Sequence, residues 1–128
     1  EDHEIISVRC AIGMREKLKE LNAKWDETEF SRYWKNHGIN EITARTGIHT
    51  GSVIAGNIGS DRMLQYSTIG DTVNVASRLE QKNKDFDTDI LFSQKIYTSL
   101  TKDLYDQAKY QGEVSLKGRD TKTRTYSI

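Results

Sequence analysis

The chain has 128 residues, and its 19 basic and 19 acidic side chains balance. That length fits one domain with a modest core. The balance excludes long-range attraction to nucleic acid or to an anionic membrane. Hydrophobic residues make up 35% of the chain, polar for a globular domain yet not biased enough for disorder.

Cys10 is the single cysteine, which excludes an internal disulfide and points to a reducing, cytoplasmic setting. No apolar run approaches the roughly 20 residues that span a bilayer. Any membrane anchor of a parent protein is therefore expected outside this chain.

The first predicted element is a helix running from the start of the chain to Trp25, with Asp2 as its N-cap. Ile5, Val8, Ile12, Met14, Leu18, Leu21 and Trp25 follow the three-and-four spacing of one apolar face. That face needs something to cover. "DETEFSRYWKNHGINEI" mixes charge and aromatics without period and predicts a connection with a short helical turn, broken at His37-Gly38. "TARTGIHTGSVIAGNIGS" is rich in Thr, Ile, Val and Gly. It predicts two short strands, about Ala44 to Thr50 and Ser52 to Asn57, turning at Gly51. "DRMLQYSTIG" reads as an exposed hairpin or arm.

A second helix is predicted from Asp71, as N-cap, to Lys84. Val73, Ala76, Ser77 and Leu79 are expected to pack, while Asp71, Arg78, Glu80 and Lys82 are wetted. "QKNKDFDTD" predicts a charged loop, "DILFS" a strand, and "SQKIYTSLTKDLY" a short helix starting at Ser93. Two final strands are expected around the Lys-Gly-Arg-Asp turn. Mixed helices and strands in one unit give an α+β or α/β class.

Asn74 and Arg78 are four apart, which puts both on one side of a helix one turn apart. Arg offers a planar fork suited to phosphate oxygens. Asn offers a donor and an acceptor for a sugar. The helix start adds free backbone N–H groups. On spacing alone, a capped surface helix with a solvated Arg is the commoner reading. Ser67 can meet a base edge or serve as a turn serine. Lys117, before the glycine of "LKGRD", can face a triphosphate or simply sit in a hairpin.

His49 lacks companions at metal-ligand spacing and reads as a packed, hydrogen-bonded strand histidine. Cys10 has no activating partner and reads as structural. "GSVIAGNIGS" fits neither glycine-rich nucleotide-loop pattern. Asp85, Asp87 and Asp89 lack the glycine turn and closing Glu of a calcium loop and read as solvated.

As a set, "RTGIHTGSVIAGNIGSDRMLQYSTIGDTVNVASRLE" closely resembles the class III nucleotidyl cyclase catalytic domain, the family of adenylate and guanylate cyclases. The match is dense from Arg45 to Glu80, and "IGDTVNVASR" is its most specific part. The resemblance implies a ferredoxin-like α+β fold working as a homodimer, with each active site across the interface. It implies conversion of ATP to 3′,5′-cyclic AMP and pyrophosphate, with two Mg²⁺ or Mn²⁺ ions. Asn74 corresponds to the residue that orients the ribose, and Arg78 to the one that stabilises charge on the α-phosphate. Lys117 corresponds to a contact with the terminal phosphates. Ser67 occupies the base-recognition position, where Thr or Ser marks a bacterial-type adenylate cyclase subgroup.

The family's two metal-binding aspartates fall ahead of the first helix seen here, so no metal ligand is assigned in this chain. Residues 1–128 are thus expected to be a single, partial catalytic domain lacking its N-terminal strands and helices, and inactive alone. Two other readings stay open: a non-catalytic cyclase-like dimerisation or regulatory module, and a guanylate cyclase.

Overall fold

The computed structural model describes residues 2–115 and 121–128. Lys117 and the predicted final turn lie outside the described residues.

Helix α1 (His3–Glu27) is followed by a single turn, α2 (Arg32–Lys35), and then by Gly38 at a φ of 79°. This is the helical turn and break expected from the sequence. Asp2 does stand at the N-cap of α1, but in a left-handed conformation with no side-chain capping bond. Its carbonyl accepts from the Ile6 N–H at 3.0 Å. Val8 and Ala11 are buried, and Ile5 and Ile12 pack beside them. Met14 leaves the expected face and is 59% exposed. Six residues from Val8 at 100° each, it sits about 120° away around the axis.

The main sheet has the order β1-β4-β6-β5. Its strands are β1 (Thr46–Ile48), β4 (Ile90–Ser93), β5 (Lys109–Ser115) and β6 (Lys122–Ser127). β1 and β4 run parallel, whereas β4–β6 and β5–β6 are antiparallel. Every residue of β4 is buried, as a central strand covered on both faces requires. Its side chains alternate. Ile90 and Phe92 join the core beneath α1, with Val8, Ala11, Ile48, Ile96 and Leu104. Leu91 joins Val75 and Leu79 of helix α3 (Asp71–Phe86) on the other face. The architecture is α+β.

The two strands predicted to turn at Gly51 do not pair with each other. β1 enters the main sheet. β2 (Ile54–Ser60) instead pairs antiparallel with β3 (Met63–Ile69) in a separate two-stranded ribbon, turning at Asp61-Arg62. The expected exposed arm is therefore β2 and β3 together.

The single helix expected from Ser93 is two short ones, α4 (Gln94–Tyr97) and α5 (Lys102–Tyr105). Thr101 interrupts them in an extended conformation, its hydroxyl donating to the Asp103 carboxylate. A threonine that bonds locally competes with helix continuation. The charged loop after α3 shrinks to three residues, because the helix continues to Phe86. Asp85 therefore lies within the helix, paired with Lys82 at 2.6 Å, rather than in a solvated loop.

Candidate functional site

Helix α3 carries both Asn74 and Arg78, and its seat on β1 is unusually close. A Cβ at Gly47 would overlap the backbone of Ala76 and Glu80. Only glycine lets strand and helix backbones meet there. Arg45 Nε donates to the Glu80 carboxylate at 2.9 Å beside this contact. At the helix end, buried Asn83 donates to the Thr46 carbonyl at 3.0 Å.

The start of α3 is held separately. The Thr72 hydroxyl donates to the Ser52 carbonyl at 2.8 Å. Gly51 lies against Thr72 so closely that an added Cβ would come 2.6 Å from Oγ1. Thr72 was not singled out from the sequence, which gives no sign that the Ser52 carbonyl comes to meet it. The N-cap is Gly70, at a φ of 138°, rather than Asp71. Asp71 is the first helical residue, where a carboxylate complements the helix dipole.

Within α3, Val75 and Leu79 are the buried apolar residues, while Ser77, expected to pack, is exposed. Asn74 is exposed, one turn before Arg78. Arg78 departs from expectation. It is half-buried rather than wetted, and its Nε is buried with no hydrogen-bond partner among the described residues. A buried donor without an acceptor costs about 1–3 kcal/mol.

Ser67 is exposed on β3, which leads through Gly70 directly into α3. The ribbon and the helix thus present Ser67, Asn74 and Arg78 on consecutive elements.

His49 lies one residue beyond β1, and the parallel register sets it beside Ser93. Its Nδ1 is 2.7 Å from the Ser93 hydroxyl, the packed, hydrogen-bonded role expected. Burial lowers its pKa below 6.5, and the Lys95 charge lowers it further, while Asp71 acts in the opposite sense. Cys10 is exposed on α1, its Sγ 3.9 Å from the Met14 sulfur, so it has no core packing role.

A groove of about 390 Å³ runs between α1 and the β1 side of the sheet, lined by Leu18, Leu21, Ile42 and Ala44 among others. Ser67, Asn74 and Arg78 do not line it. Among the described residues, no three His, Cys, Asp or Glu side chains form a group that could hold a metal ion. No described helix is long and apolar enough to cross a membrane.

Comparison with known proteins gives one consistent family. A family model described as "Adenylate and Guanylate cyclase catalytic domain" matches residues 1–128. "Adenylate cyclase 1" of Rhizobium meliloti (strain 1021) is 36% identical over 122 residues, covering 94% of this chain and 16% of that protein. The crystal structure of the adenylyl cyclase CyaB from P. aeruginosa aligns with a TM-score of 0.67 at 28% identity, covering 97% of this chain and 57% of that one. The guanylyl cyclase Cya2 aligns with a TM-score of 0.70 at 25% identity, covering 98% and 57%. The chain thus spans about a sixth of the Rhizobium protein and just over half of each solved chain. The class III cyclase fold expected from the sequence is the fold of these neighbours.

Proposed function

Because the chain belongs to the adenylate and guanylate cyclase catalytic domain family, we propose that it supplies the ribose- and phosphate-facing part of an adenylate cyclase site. The reaction is conversion of ATP to 3′,5′-cyclic AMP and pyrophosphate. The ribose 3′-oxygen loses its proton and bonds to the α-phosphorus. The bond from that phosphorus to the bridging oxygen breaks, and pyrophosphate leaves.

One observation carries this reading: the buried, unpartnered Nε of Arg78, one helical turn from the exposed Asn74. The enclosed Nε fixes the stem of the side chain, so an acceptor arriving from outside would meet the terminal guanidinium nitrogens, for which the described residues supply no hydrogen bond. In phosphoryl transfer a protein chiefly positions groups and stabilises charge. Asn74 is assigned to hold the ribose so that its 3′-oxygen lines up behind the α-phosphorus. Arg78 is assigned to the charge growing on the phosphoryl oxygens, where a fixed cation acts without reorganising. Ser67 is assigned to the base edge, and Lys117, outside the described residues, to the terminal phosphates.

The family generally uses divalent metal ions, which would supply activation of the 3′-hydroxyl and neutralise phosphate charge. The described residues do not fit such a site, since no carboxylate cluster forms among them. No step is assigned to a metal here, and the chain alone is proposed to be inactive. We take residues 1–128 as one portion of a catalytic domain that acts as a homodimer. The exposed arm supports the dimer: Leu64 and Tyr66 face solvent on the side of the ribbon opposite Ser67. Apolar surface of this kind marks an interaction site.

The test is titration of a fluorescent ATP analogue into the chain and into its Arg78→Ala variant, with cyclic AMP measured alongside. Binding weakened at least tenfold by Arg78→Ala, with no product from the chain alone, is expected. Equal binding by both would overturn the assignment.

A further inference from the structure

Gly56 stands directly opposite Ser67 in the β2–β3 ladder. Paired residues of an antiparallel ladder project to the same face, so the missing side chain of Gly56 borders Ser67. The chain's own sterics give no reason for a glycine there. A Cβ at Gly56 would meet no heavy atom of the described residues within 4 Å. Its φ is not in the positive range adopted by Gly38, Gly59, Gly70 and Gly112. Gly59, three residues on, is different: its φ is 144°, and a Cβ would strike the Met63 backbone.

Glycine inside a strand costs about 0.5–1 kcal/mol relative to alanine. Where no internal contact requires it, it marks the close approach of a ligand or another backbone. The surroundings favour a ligand. The next pairs on the same face are Ile54 with Ile69 on one side and Ile58 with Gln65 on the other. Ile54, Ile58 and Ile69 are exposed. The result is a flat gap walled by apolar side chains, with a hydroxyl at its edge. That shape and chemistry suit a planar heteroaromatic ring that is apolar on its faces and polar at its rim.

We propose that Gly56 is a specificity-determining residue that keeps the ribbon clear for the purine base of the nucleotide, whose edge then meets Ser67. This rests on the nucleotide reading above and names the part of the chain that accepts the base. A side chain at position 56 would fill the gap without disturbing the fold, since none of the described residues lies within reach.

The experiment compares the chain with its Gly56→Ala, Gly56→Val and Arg78→Ala variants. Each is titrated with a fluorescent ATP analogue and, by competition, with inorganic triphosphate, which has no base. Thermal melting and sedimentation accompany each titration. Gly56→Val is expected to weaken ATP binding at least tenfold, and Gly56→Ala severalfold. Triphosphate binding, melting temperature and sedimentation should stay unchanged or, for melting, rise. Arg78→Ala should weaken ATP and triphosphate alike. ATP binding by Gly56→Val equal to the parent chain overturns the inference while leaving the nucleotide reading intact. So does parallel loss of triphosphate. A changed sedimentation coefficient would assign the gap to a second protomer and overturn the inference too. If Arg78→Ala leaves both ligands unaffected, the nucleotide reading itself falls.

Discussion

Asn83 and Thr46 join helix α3 to strand β1 through a bond from the Asn83 side-chain amide to the Thr46 carbonyl, 3.0 Å long. Asn83 is fully buried. The same nitrogen reaches the Leu79 and Glu80 carbonyls at 3.3 and 3.2 Å, and its oxygen accepts from the Thr88 hydroxyl at 2.8 Å. One side chain thus closes the end of α3, the start of the next loop and the entry to β1. Asn83→Ala removes the side-chain bond to the Thr46 carbonyl, which keeps its place in the β1–β4 ladder, and leaves the Thr88 hydroxyl without its acceptor. A loss of about 2–4 kcal/mol in urea unfolding is expected. A loss below about 0.5 kcal/mol would mean that water replaces the amide and that this seam does not depend on it.

The glycines of this region rank by what a methyl group would meet. At Gly47 it meets helix backbone, which cannot turn aside. At Gly51 it meets the Thr72 side chain, which can rotate at the expense of its bond to Ser52. At Gly56 it meets nothing among the described residues. Glycine-to-alanine substitutions should therefore destabilise in the order 47, 51, 56. The first should cost about 3 kcal/mol or more and the last nothing, or even a slight gain. Thermal melts of the three variants check the order. A mild effect at Gly47 would show that α3 can slide on β1, and that Asn74 and Arg78 are not fixed by this contact.

Local elements were legible in the sequence and long-range pairings were not. The apolar periodicity of α1 and α3 and the run forming β4 lie within single windows. The partner of Thr46–Ile48 is Ile90–Phe92, far along the chain. Nothing in "TGIHTG" separates a strand of that kind from one arm of a hairpin at Gly51. Ser93 was readable as a helix start, but the break at Thr101 depends on its bond to Asp103. For the site, the spacing of Asn74 and Arg78 was visible, and the family resemblance said what they could face. The orphaned Arg78 Nε was invisible, because it arises from how the guanidinium is enclosed. The Gly56–Ser67 pairing was equally hidden, since it depends on the ribbon's register.

His49 makes stability depend on pH. Its pKa is lowered, first by burial and then by Lys95. The unfolded chain therefore binds a proton at this position more readily than the native chain does. Stability rises with pH wherever the unfolded state holds more protons. The contribution is fully present above about 6.5, the ordinary histidine value, and declines as pH falls below it. The lowered carboxyl pKa values of Asp26, Asp85 and Asp103 act only in the more acidic carboxylate range. Urea unfolding between pH 7.5 and 5.5 should show the parent chain weakening more than His49→Gln. Parallel slopes would mean that the Ser93 contact survives protonation.

Arg78 should separate stability from binding. Its buried Nε has no partner among the described residues, so the folded chain carries a desolvated donor. Replacing it with methionine keeps the aliphatic length and removes that donor. A gain of about 1 kcal/mol in stability is expected, together with at least a tenfold loss of ATP binding. Arg78→Lys keeps the charge but not the planar fork, so it should restore only part of that binding. Asn74→Ala combined with Arg78→Met should be non-additive, because both side chains are assigned to one ligand. Opposite signs for stability and binding are expected of a residue held for a ligand rather than for the fold. If Arg78→Met lowers stability instead, the arginine is a packing residue and its orphaned nitrogen is a by-product of that packing.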